Sequence, residues 1–279
     1  MTRRDRRALG IPFRPRYQRR MEFENIRLDI SPAAVATLTL NRPETLNALN
    51  GALIEEMRAA LASLPGSGAR CLLLTGEGRA FSSGADLVAG GGLPDDVGAA
   101  LESQLNPLIE DVFALPMPVV AAVRGPCAGA GCSLALAADI VIASASAYFL
   151  QAFINIGLVP DAGATWLLPR LAGRARAMEM MMLGERIPAE QAAAWGMISR
   201  TVEEEELETE AIALATRLAQ GPTIAYSLLR KLAREAEQAP LGEALAAERR
   251  AQTLAGRTED FKTGVMAFIQ KHQPRFEGK

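Results

Sequence analysis

The spacing of hydrophobic residues changes from one segment of the chain to the next. Ala34 to Leu40 follows an alternating pattern of period two, which predicts a β-strand. Apolar residues then recur at helical spacing from Leu46 to Leu61. Continuous apolar runs at 71–75, 119–123 and 140–143 predict three more strands. We expect the strand at 71–75 to be buried on both faces of a sheet, because its apolar residues follow one another without alternating with polar ones.

Helices are predicted between these strands and throughout the last third of the chain. A helix of small residues begins near Gly129 and runs to about Ala138. The alternation of strands and helices predicts an α/β fold with right-handed crossovers. After about residue 185 the pattern becomes helical, with segments at 189–195, 205–220, 223–237, 241–254 and 259–270 separated by glycine or proline. The stretch 87–115 is predicted to be rich in loops and to shape the substrate pocket.

The amino-acid composition excludes several classes of protein and of catalytic site. The 279 residues are 49% apolar, and no apolar run reaches the roughly 18 residues of a membrane span, so we expect a soluble globular protein. Cys71, Cys127 and Cys132 form no metal-binding pattern, and we interpret them as buried, reduced thiols of a cytoplasmic protein. His272 is the sole histidine and lies near the C-terminus, which argues against a Ser-His-Asp triad and against a histidine zinc site.

The first 20 residues differ in charge from the rest. They hold eight arginines and one acid, Asp5, and so carry +7, whereas the whole chain carries −2. The segment lacks the apolar stretch of a signal peptide. We predict a disordered tail at 1–20, with Met21 as a candidate start. Such a tail could contact nucleic acid or an anionic surface, although we do not expect nucleic acid as a partner.

Two segments of small residues are candidates for binding. Ser82-Ser83-Gly84-Ala85-Asp86 lets a ligand approach the backbone, or else it is a loop in which Asp86 caps a following helix. The segment 125–133 opens the small-residue helix, whose first N–H groups lack intrahelical partners and stabilise negative charge. Its small residues also suit tight packing on the sheet, and the two roles are compatible. No acidic residue follows at the distance required for a dinucleotide fingerprint.

A third candidate places one carboxylate among apolar neighbours. Asp161 follows Gly157-Leu158-Val159-Pro160 and precedes a helical run. As a helix N-cap, Asp161 would accept backbone N–H bonds and have a lowered pKa. As a general base it would lie in an apolar pocket with a raised pKa. The residues alone favour the cap.

These three segments, in this order, resemble the crotonase (enoyl-CoA hydratase/isomerase) superfamily across residues 21–279. The resemblance includes Asn41-Arg42-Pro43 and Asn47-Ala48-Leu49 early and Met266-Ala267-Phe268 late. It implies an α/β, crotonase-like superhelical core of repeated β-β-α units at 21–200. It also implies a helical C-terminal trimerisation part at 201–279. In the family two backbone N–H groups form an oxyanion hole for an acyl-CoA thioester, and the matching donors are Ala85 and Ala130.

The chain departs from the hydratases of this family at two positions. Hydratases carry one glutamate where this chain has Ser133 and another where it has Phe153. Water addition needs two acid–base groups, so hydration is not the expected activity. The resemblance places Ser133 and Phe153, together with Trp166, in the acyl pocket.

Asp161 matches the catalytic aspartate of isomerases in the family. One carboxylate suffices to move a proton from the carbon beside the thioester to a carbon further along. The segments 157–170, 173–178, 195–198 and 276–279 are similar to the subgroup of bacterial 1,2-epoxyphenylacetyl-CoA isomerases of phenylacetate breakdown. The implied activity is therefore a CoA-ester isomerase. The alternatives are a hydratase, a dehalogenase or thioesterase-like enzyme using Asp161, and an RNA-binding relative.

The resemblance also implies how coenzyme A is held and how subunits assemble. Coenzyme A would be a part of the substrate, with no separate cofactor and no metal. Family members are trimers or dimers of trimers, so a homotrimer or hexamer is expected. The predicted CoA-binding residues lie in two early segments and one C-terminal helix, often from a neighbouring subunit: Asn47, Ala48, Leu49, Ser83, Gly84, Ala85, Asp86, Leu87, Phe268 and Lys271.

Overall fold

The computed structural model describes residues 23–87 and 96–279. The predicted tail at 1–20 and part of the predicted substrate loop, residues 88–95, lie outside this range. Among the described residues, none of the helices combines the length and apolar character that crossing a membrane requires. The described part of the chain contains nine strands: β1 (Ile26–Ile30), β2 (Val35–Leu40), β3 (Cys71–Gly76), β4 (Val119–Val123), β5 (Pro126–Ala128), β6 (Ile140–Ser144), β7 (Tyr148–Leu150), β8 (Arg186–Pro188) and β9 (Arg200–Val202).

The strands form two sheets. The larger has the order β1-β2-β3-β4-β6-β9, and every pair in it is parallel except the antiparallel pair β1–β2. The smaller has the order β5-β7-β8. Strand β5 follows β4, and β7 follows β6, after only a few residues, so these two strands of the large sheet are each followed by a short strand of the small one. This is the arrangement that the predicted β-β-α repeat requires.

Eleven α-helices surround the sheets within the described ranges. They are α1 (Gly51–Ser63), α2 (Val97–Ala100), α3 (Asn106–Ala114), α4 (Gly129–Leu136), α5 (Ala164–Ala172), α6 (Arg174–Leu183), α7 (Ala189–Ala194), α8 (Leu207–Ala219), α9 (Thr223–Ala236), α10 (Leu241–Ala255) and α11 (Glu259–Gln270). A π-helical turn, Leu101–Leu105, joins α2 to α3, and 3₁₀ turns lie at Pro43–Thr45, Ala152–Ile156 and Glu204–Glu206.

Strand β3 is buried on both faces, as its apolar run predicts. Leu72 and Leu74 belong to the main core, which the large sheet shares with α1, α3 and α4. Cys71 and Leu73 point to the opposite face, against α8. Helix α8 presents alanine and leucine to this face at helical spacing, through Leu207, Ala211, Ala215 and Ala219. The sheet is thus packed on both faces, by the main core on one side and by α8 on the other. The candidate site lies at the ends of its strands.

Two predictions about secondary structure are wrong. The stretch 97–114 is helical, not loop-rich, because Leu105, Leu108 and Val112 pack into the main core and Pro107 occupies the first turn of α3, where no N–H is required. The chain after residue 185 also contains β8 and β9. Each of these two strands has three residues, too few to show a period of two.

Candidate active site

The turn after β3 is held in an extended path beside Leu49. The Leu49 N–H donates to the Gly84 carbonyl (2.7 Å), and the Asp86 N–H donates to the Leu49 carbonyl (3.0 Å). Successive peptide groups of an extended chain point to opposite sides, so the Ala85 N–H is directed away from Leu49. No described residue accepts a hydrogen bond from it. The turn therefore offers one free backbone donor at the predicted position.

Helix α4 supplies a second free donor beside this turn. Ala130 is its second residue, and its N–H has no acceptor among the described residues, as helix geometry requires for the first turn. Gly84 has φ +96°, and a Cβ on it would lie 2.9 Å from the Ala128 carbonyl oxygen and 3.5 Å from Gly129 Cα. The two donor segments are thus packed backbone against backbone.

Helix α4 also packs closely against the turn where Gly131 meets Ser82. A Cβ on Gly131 would lie 2.5 Å from the side chain of Ser82. The Ser82 hydroxyl donates to the Asn47 carbonyl (2.8 Å), and the Ala128 N–H donates to the Ser82 carbonyl (2.9 Å). Glycine at 131 is therefore required by space. These contacts hold the Ala85 and Ala130 segments against each other, as the two donors of an oxyanion hole require.

The early CoA-binding candidates, residues 47–49, lie beside the turn that carries Ala85. Asn47 is fully buried, and its Nδ2 donates to the carbonyls of Glu77 (3.0 Å) and Ala80 (2.8 Å). Ala48 and Leu49 are also buried, whereas Ser83 and Ala85 are exposed. Leu87 is 58% exposed at the end of the described segment. The exposed members are therefore those of the turn that a ligand could reach.

Asp86 has a structural partner that the sequence did not reveal. Its carboxylate pairs with the Arg42 guanidinium at 2.9 Å, and the Arg42 group also donates to the Ala48 carbonyl (2.7 Å). The ion pair is largely buried and ties the Asn-Arg-Pro segment to the turn. The alternative in which Asp86 caps a helix directly after it falls on residues 88–95, which lie outside the described residues; the N-cap of α2 is Asp96.

Asp161 lies in a left-handed turn before α5. Ala162 and Gly163 both have positive φ, 49° and 79°, and the N-cap of α5 is Gly163, which makes no side-chain cap. The interpretation of Asp161 as a helix cap is therefore wrong. Its Oδ1 atom is buried without a hydrogen-bond partner among the described residues. Burial raises the pKa of Asp161 from 3.8 to about 6, and a backbone hydrogen bond at the residue opposes this only partly.

Ser133 connects Asp161 to α4. Its hydroxyl donates to the Asp161 carbonyl oxygen (3.1 Å), and the Ala164 N–H donates to the same oxygen (2.9 Å). Ser133 lies one helical turn after Ala130, so the Asp161 backbone is fastened to the same helix that carries the second donor. This residue is fully buried and has no titratable group, so it orients the turn and supplies no proton.

The two predicted aromatic residues of the acyl pocket lie on different elements. Phe153 is 8% exposed and lies against the start of α4. A Cβ added to Gly129 would be 3.6 Å from the Cζ atom of Phe153. Trp166 on α5 packs edge-on against Phe113 of α3, with ring centroids 6.1 Å apart, and Arg170 stacks 4.2 Å above the Trp166 ring. Phe113 belongs to the stretch predicted to shape the substrate pocket, although sequence reasoning did not single it out.

The C-terminal candidates stand apart from these contacts. Phe268 on α11 is 85% exposed and borders a groove of about 420 Å³ with Ile224 and Phe276. Lys271 is exposed at the end of α11, where it adopts positive φ. Their contact with coenzyme A stays a prediction.

Comparison with known proteins identifies the family of this chain. Residues 31–279 match the family model described as enoyl-CoA hydratase/isomerase. The 1,2-epoxyphenylacetyl-CoA isomerase of Escherichia coli is 47% identical over 250 residues, 88% of this chain and 95% of that protein. A Rhodobacter capsulatus protein named "probable enoyl-CoA hydratase" is 46% identical over 259 residues, 93% of this chain and all of its own.

Solved structures show the same relationship. The crystal structure of enoyl-CoA hydratase from Bacillus anthracis has a TM-score of 0.88 and 33% identity, and the match covers 92% of this chain and all of that one. The chain belongs to the enoyl-CoA hydratase/isomerase family and has the crotonase fold. The names among its relatives include both hydratase and isomerase, so the family alone leaves the reaction open.

Proposed function

We propose that this protein is an acyl-CoA isomerase in which Asp161 is the acid–base residue. The observation that carries the proposal is the Asp161 carboxyl group, which has a buried, unpaired oxygen and a pKa raised to about 6. A base with such a pKa is mostly ionised at neutral pH, yet it is basic enough to take a proton from carbon beside a polarised thioester. The residues at the two hydratase positions, Ser133 and Phe153, cannot transfer protons at neutral pH.

The proposed reaction uses the two free amides for the charge and Asp161 for the proton. The thioester oxygen accepts hydrogen bonds from the Ala85 and Ala130 N–H groups, and Asp161 removes the proton from the α-carbon. The enolate oxygen is held while Asp161 returns the proton further along the acyl chain. Each such donor contributes roughly 3–4 kcal/mol to the transition state. The chemistry uses protein groups and the substrate's own CoA thioester.

The proposed substrates are 1,2-epoxyphenylacetyl-CoA or a 3-enoyl-CoA. Similarity to the Escherichia coli isomerase and the aromatic pair Phe113–Trp166 favour an aryl acyl group. The test is product analysis by mass spectrometry and NMR with crotonyl-CoA, 3-hexenoyl-CoA and 1,2-epoxyphenylacetyl-CoA. We expect isomerised product from at least one of the last two and slow hydration of the first. Rapid hydration of crotonyl-CoA would refute the assignment.

We also propose that the protein assembles as a homotrimer or as a dimer of trimers. Eight large apolar side chains on α9, α10 and α11 are at least half exposed in the single chain: Leu229, Leu241, Leu245, Leu254, Phe261, Met266, Phe268 and Ile269. Exposed apolar surface of this extent is typical of subunit interfaces. Size-exclusion chromatography with light scattering should give a mass of about three or six times the 29.8 kDa chain. A monomeric mass would contradict this proposal.

A further inference from the structure

The side chain of Arg42 connects the two segments that pair beside the proposed oxyanion hole. Its Nη1 atom donates to the Ala48 carbonyl oxygen (2.7 Å) on one segment and to the Asp86 carboxylate (2.9 Å) on the other. Both charged side chains are largely buried, with 15% of Arg42 and 10% of Asp86 exposed. One nitrogen atom of the guanidinium group, with its two hydrogens, therefore bridges residues 47–49 and residues 84–86.

The pairing that Arg42 bridges determines the direction of the Ala85 N–H group. The Leu49 N–H donates to the Gly84 carbonyl (2.7 Å), and the Leu49 carbonyl accepts from the Asp86 N–H (3.0 Å). Because both neighbours of Ala85 are bonded to Leu49, the Ala85 N–H points to the opposite side. A shift of one segment along the other would change that direction. Arg42 opposes such a shift, because it fastens the residue before Leu49 to the side chain of Asp86.

The backbone that leads into this pairing has an unusual conformation, which Arg42 also supports. Leu46 and Asn47 have φ values of 53° and 55°, so two consecutive residues with a Cβ lie in the left-handed region. Such a conformation costs free energy, persists where the surroundings fix it, and is concentrated at functional sites. The Arg42 backbone N–H donates to Asn47 Oδ1 (2.9 Å), and the Arg42 carbonyl accepts from the Asn47 N–H (2.8 Å). Arg42 thus holds the strained turn with its backbone and the paired segments with its side chain.

We propose that Arg42 is a positioning residue of the oxyanion hole, whose guanidinium group keeps the Ala85 N–H directed at the thioester oxygen. Arg42 acts through the backbone, because its Nη1 atom is bonded to protein acceptors on both segments. A hydrogen bond weakens steeply as its angle departs from linearity, so a misdirected donor loses much of its strength. Stabilisation of the enolate then falls, although both donors are still present. This inference rests on the proposed function, because it assumes that an acyl-CoA thioester occupies the hole.

The carbonyl stretch of a bound thioester provides the test, because hydrogen bonds to the oxygen lower its frequency. Phenylacetyl-CoA is bound to the full-length protein, and infrared difference spectra with and without ¹³C at the carbonyl isolate the band. The ester is deuterated at the α-carbon and measured in D₂O, so that proton exchange leaves it unchanged. We expect binding to the wild type to lower the frequency, and Arg42→Met to lose about half of this shift, because one of two donors is misdirected. The kcat of Arg42→Met per folded molecule should fall about 10- to 100-fold.

Three further variants separate this role from a loss of stability. Arg42→Gln is too short to bridge the two acceptors and should lose as much of the shift, which covers the case in which Arg42→Met fails to fold. Arg42→Lys keeps a charge on a shorter side chain, so its shift should lie between those of the wild type and Arg42→Met. Arg58→Met breaks the Arg58–Asp111 pair between α1 and α3 and should keep the full shift. The band comes only from ester bound to folded protein, so an unchanged shift in Arg42→Met or Arg42→Gln would overturn the inference.

The proposed function and this inference fail in different ways. Replacing Asp161 by asparagine should remove turnover and keep the full carbonyl shift, because both amides are intact. If that variant keeps its turnover, the acid–base assignment is wrong, and a reduced shift in Arg42→Met still supports the inference. If turnover is lost but Arg42→Met keeps the wild-type shift, the inference is wrong and the assignment of Asp161 stands. Absence of a shift in the wild type would overturn the inference, because no hydrogen bond would then reach the thioester oxygen.

Discussion

Two turns of the α/β region each carry an aspartate, and their surroundings are opposite. At the turn of residues 83–87, the Asp86 carboxylate pairs with Arg42, and the two side chains are only 10% and 15% exposed. At the turn of residues 160–163, Asp161 is half-buried, but its buried Oδ1 has no partner among the described residues and its pKa is raised to about 6. A neighbouring cation therefore distinguishes the structural carboxylate of Asp86 from that of Asp161, which we propose to be the acid–base group.

The two turns also differ in the contacts that hold them beside α4. In the proposed reaction the Asp86 turn positions a backbone donor, and the Arg42 side chain holds this turn through Asp86 and the Ala48 carbonyl. The Asp161 turn is held through its backbone by Ser133, and Oδ1 of its carboxyl group has no hydrogen-bond partner among the described residues. An ion pair at Asp161 would lower its pKa and weaken it as a base.

The largest effect is expected for Asp161→Asn. The variant keeps the size of the side chain but cannot take a proton, so kcat should fall by roughly 10²–10⁴-fold. Binding of an unreactive acyl-CoA should change little, because the amides that hold the thioester are intact. Steady-state kinetics with the isomerised substrate and calorimetry with a saturated ester measure the two quantities. Unchanged kcat would remove Asp161 from the mechanism.

A smaller loss of activity is expected for Gly84→Ala. The new Cβ would meet the Ala128 carbonyl oxygen at 2.9 Å and displace the Ala85 donor from α4. Loss of one donor should lower kcat by about 10²-fold. Gly66→Ala is the matched control, because Gly66 also has positive φ (+83°) but no atom lies within 4 Å of its added Cβ. The control should lose some stability and keep full kcat per folded molecule, and equal losses of kcat in both variants would contradict the account.

The ion pair of the first turn is expected to contribute to stability. Arg42→Met leaves the Asp86 carboxylate without its guanidinium, so the free energy of unfolding should fall by about 3 kcal/mol. Arg58→Met breaks the Arg58–Asp111 pair, whose side chains are 40% and 37% exposed, and should change stability by less than about 1 kcal/mol. Urea unfolding followed by circular dichroism compares the two. A fall of equal size in both variants would show that burial of the Arg42 pair is unimportant.

The smallest effect concerns the pH dependence of stability. Because the pKa of Asp161 is raised in the folded protein, the folded state binds more protons than the unfolded state between pH 3.8 and about 6. This contribution to stability is present below pH 3.8 and is lost as the pH rises through 6. Asp161→Asn should therefore be more stable than the wild type by about 1–2 kcal/mol at pH 7.5, and equally stable at pH 3.5. A wild type that is the more stable protein at pH 7.5 would contradict the raised pKa.

Much of the fold could be predicted because its strands and helices are long enough to show a period. Val119–Val123 and Glu259–Gln270 have the predicted bounds, and Thr223–Ala236 ends one residue early. The small sheet could not be predicted, because β5, β7 and β8 have three residues each and depend on tertiary pairing.

The candidate site was predictable in its segments but not in its contacts. Small residues and a lone carboxylate indicated the two donor positions and Asp161 from local composition and family resemblance. The ion pair of Arg42 with Asp86 joins residues 44 positions apart, and no local pattern records it.

Exchange of the α-protons of phenylacetyl-CoA in D₂O tests the central claim most directly, because it reports enolate formation without requiring isomerisation. The wild-type protein should incorporate deuterium at the α-carbon, and the rate should fall about tenfold per pH unit below the pKa of about 6 for Asp161. Asp161→Asn should show almost no incorporation although it binds the ester. Exchange as fast in Asp161→Asn as in the wild type, or no exchange in the wild type, would contradict the account.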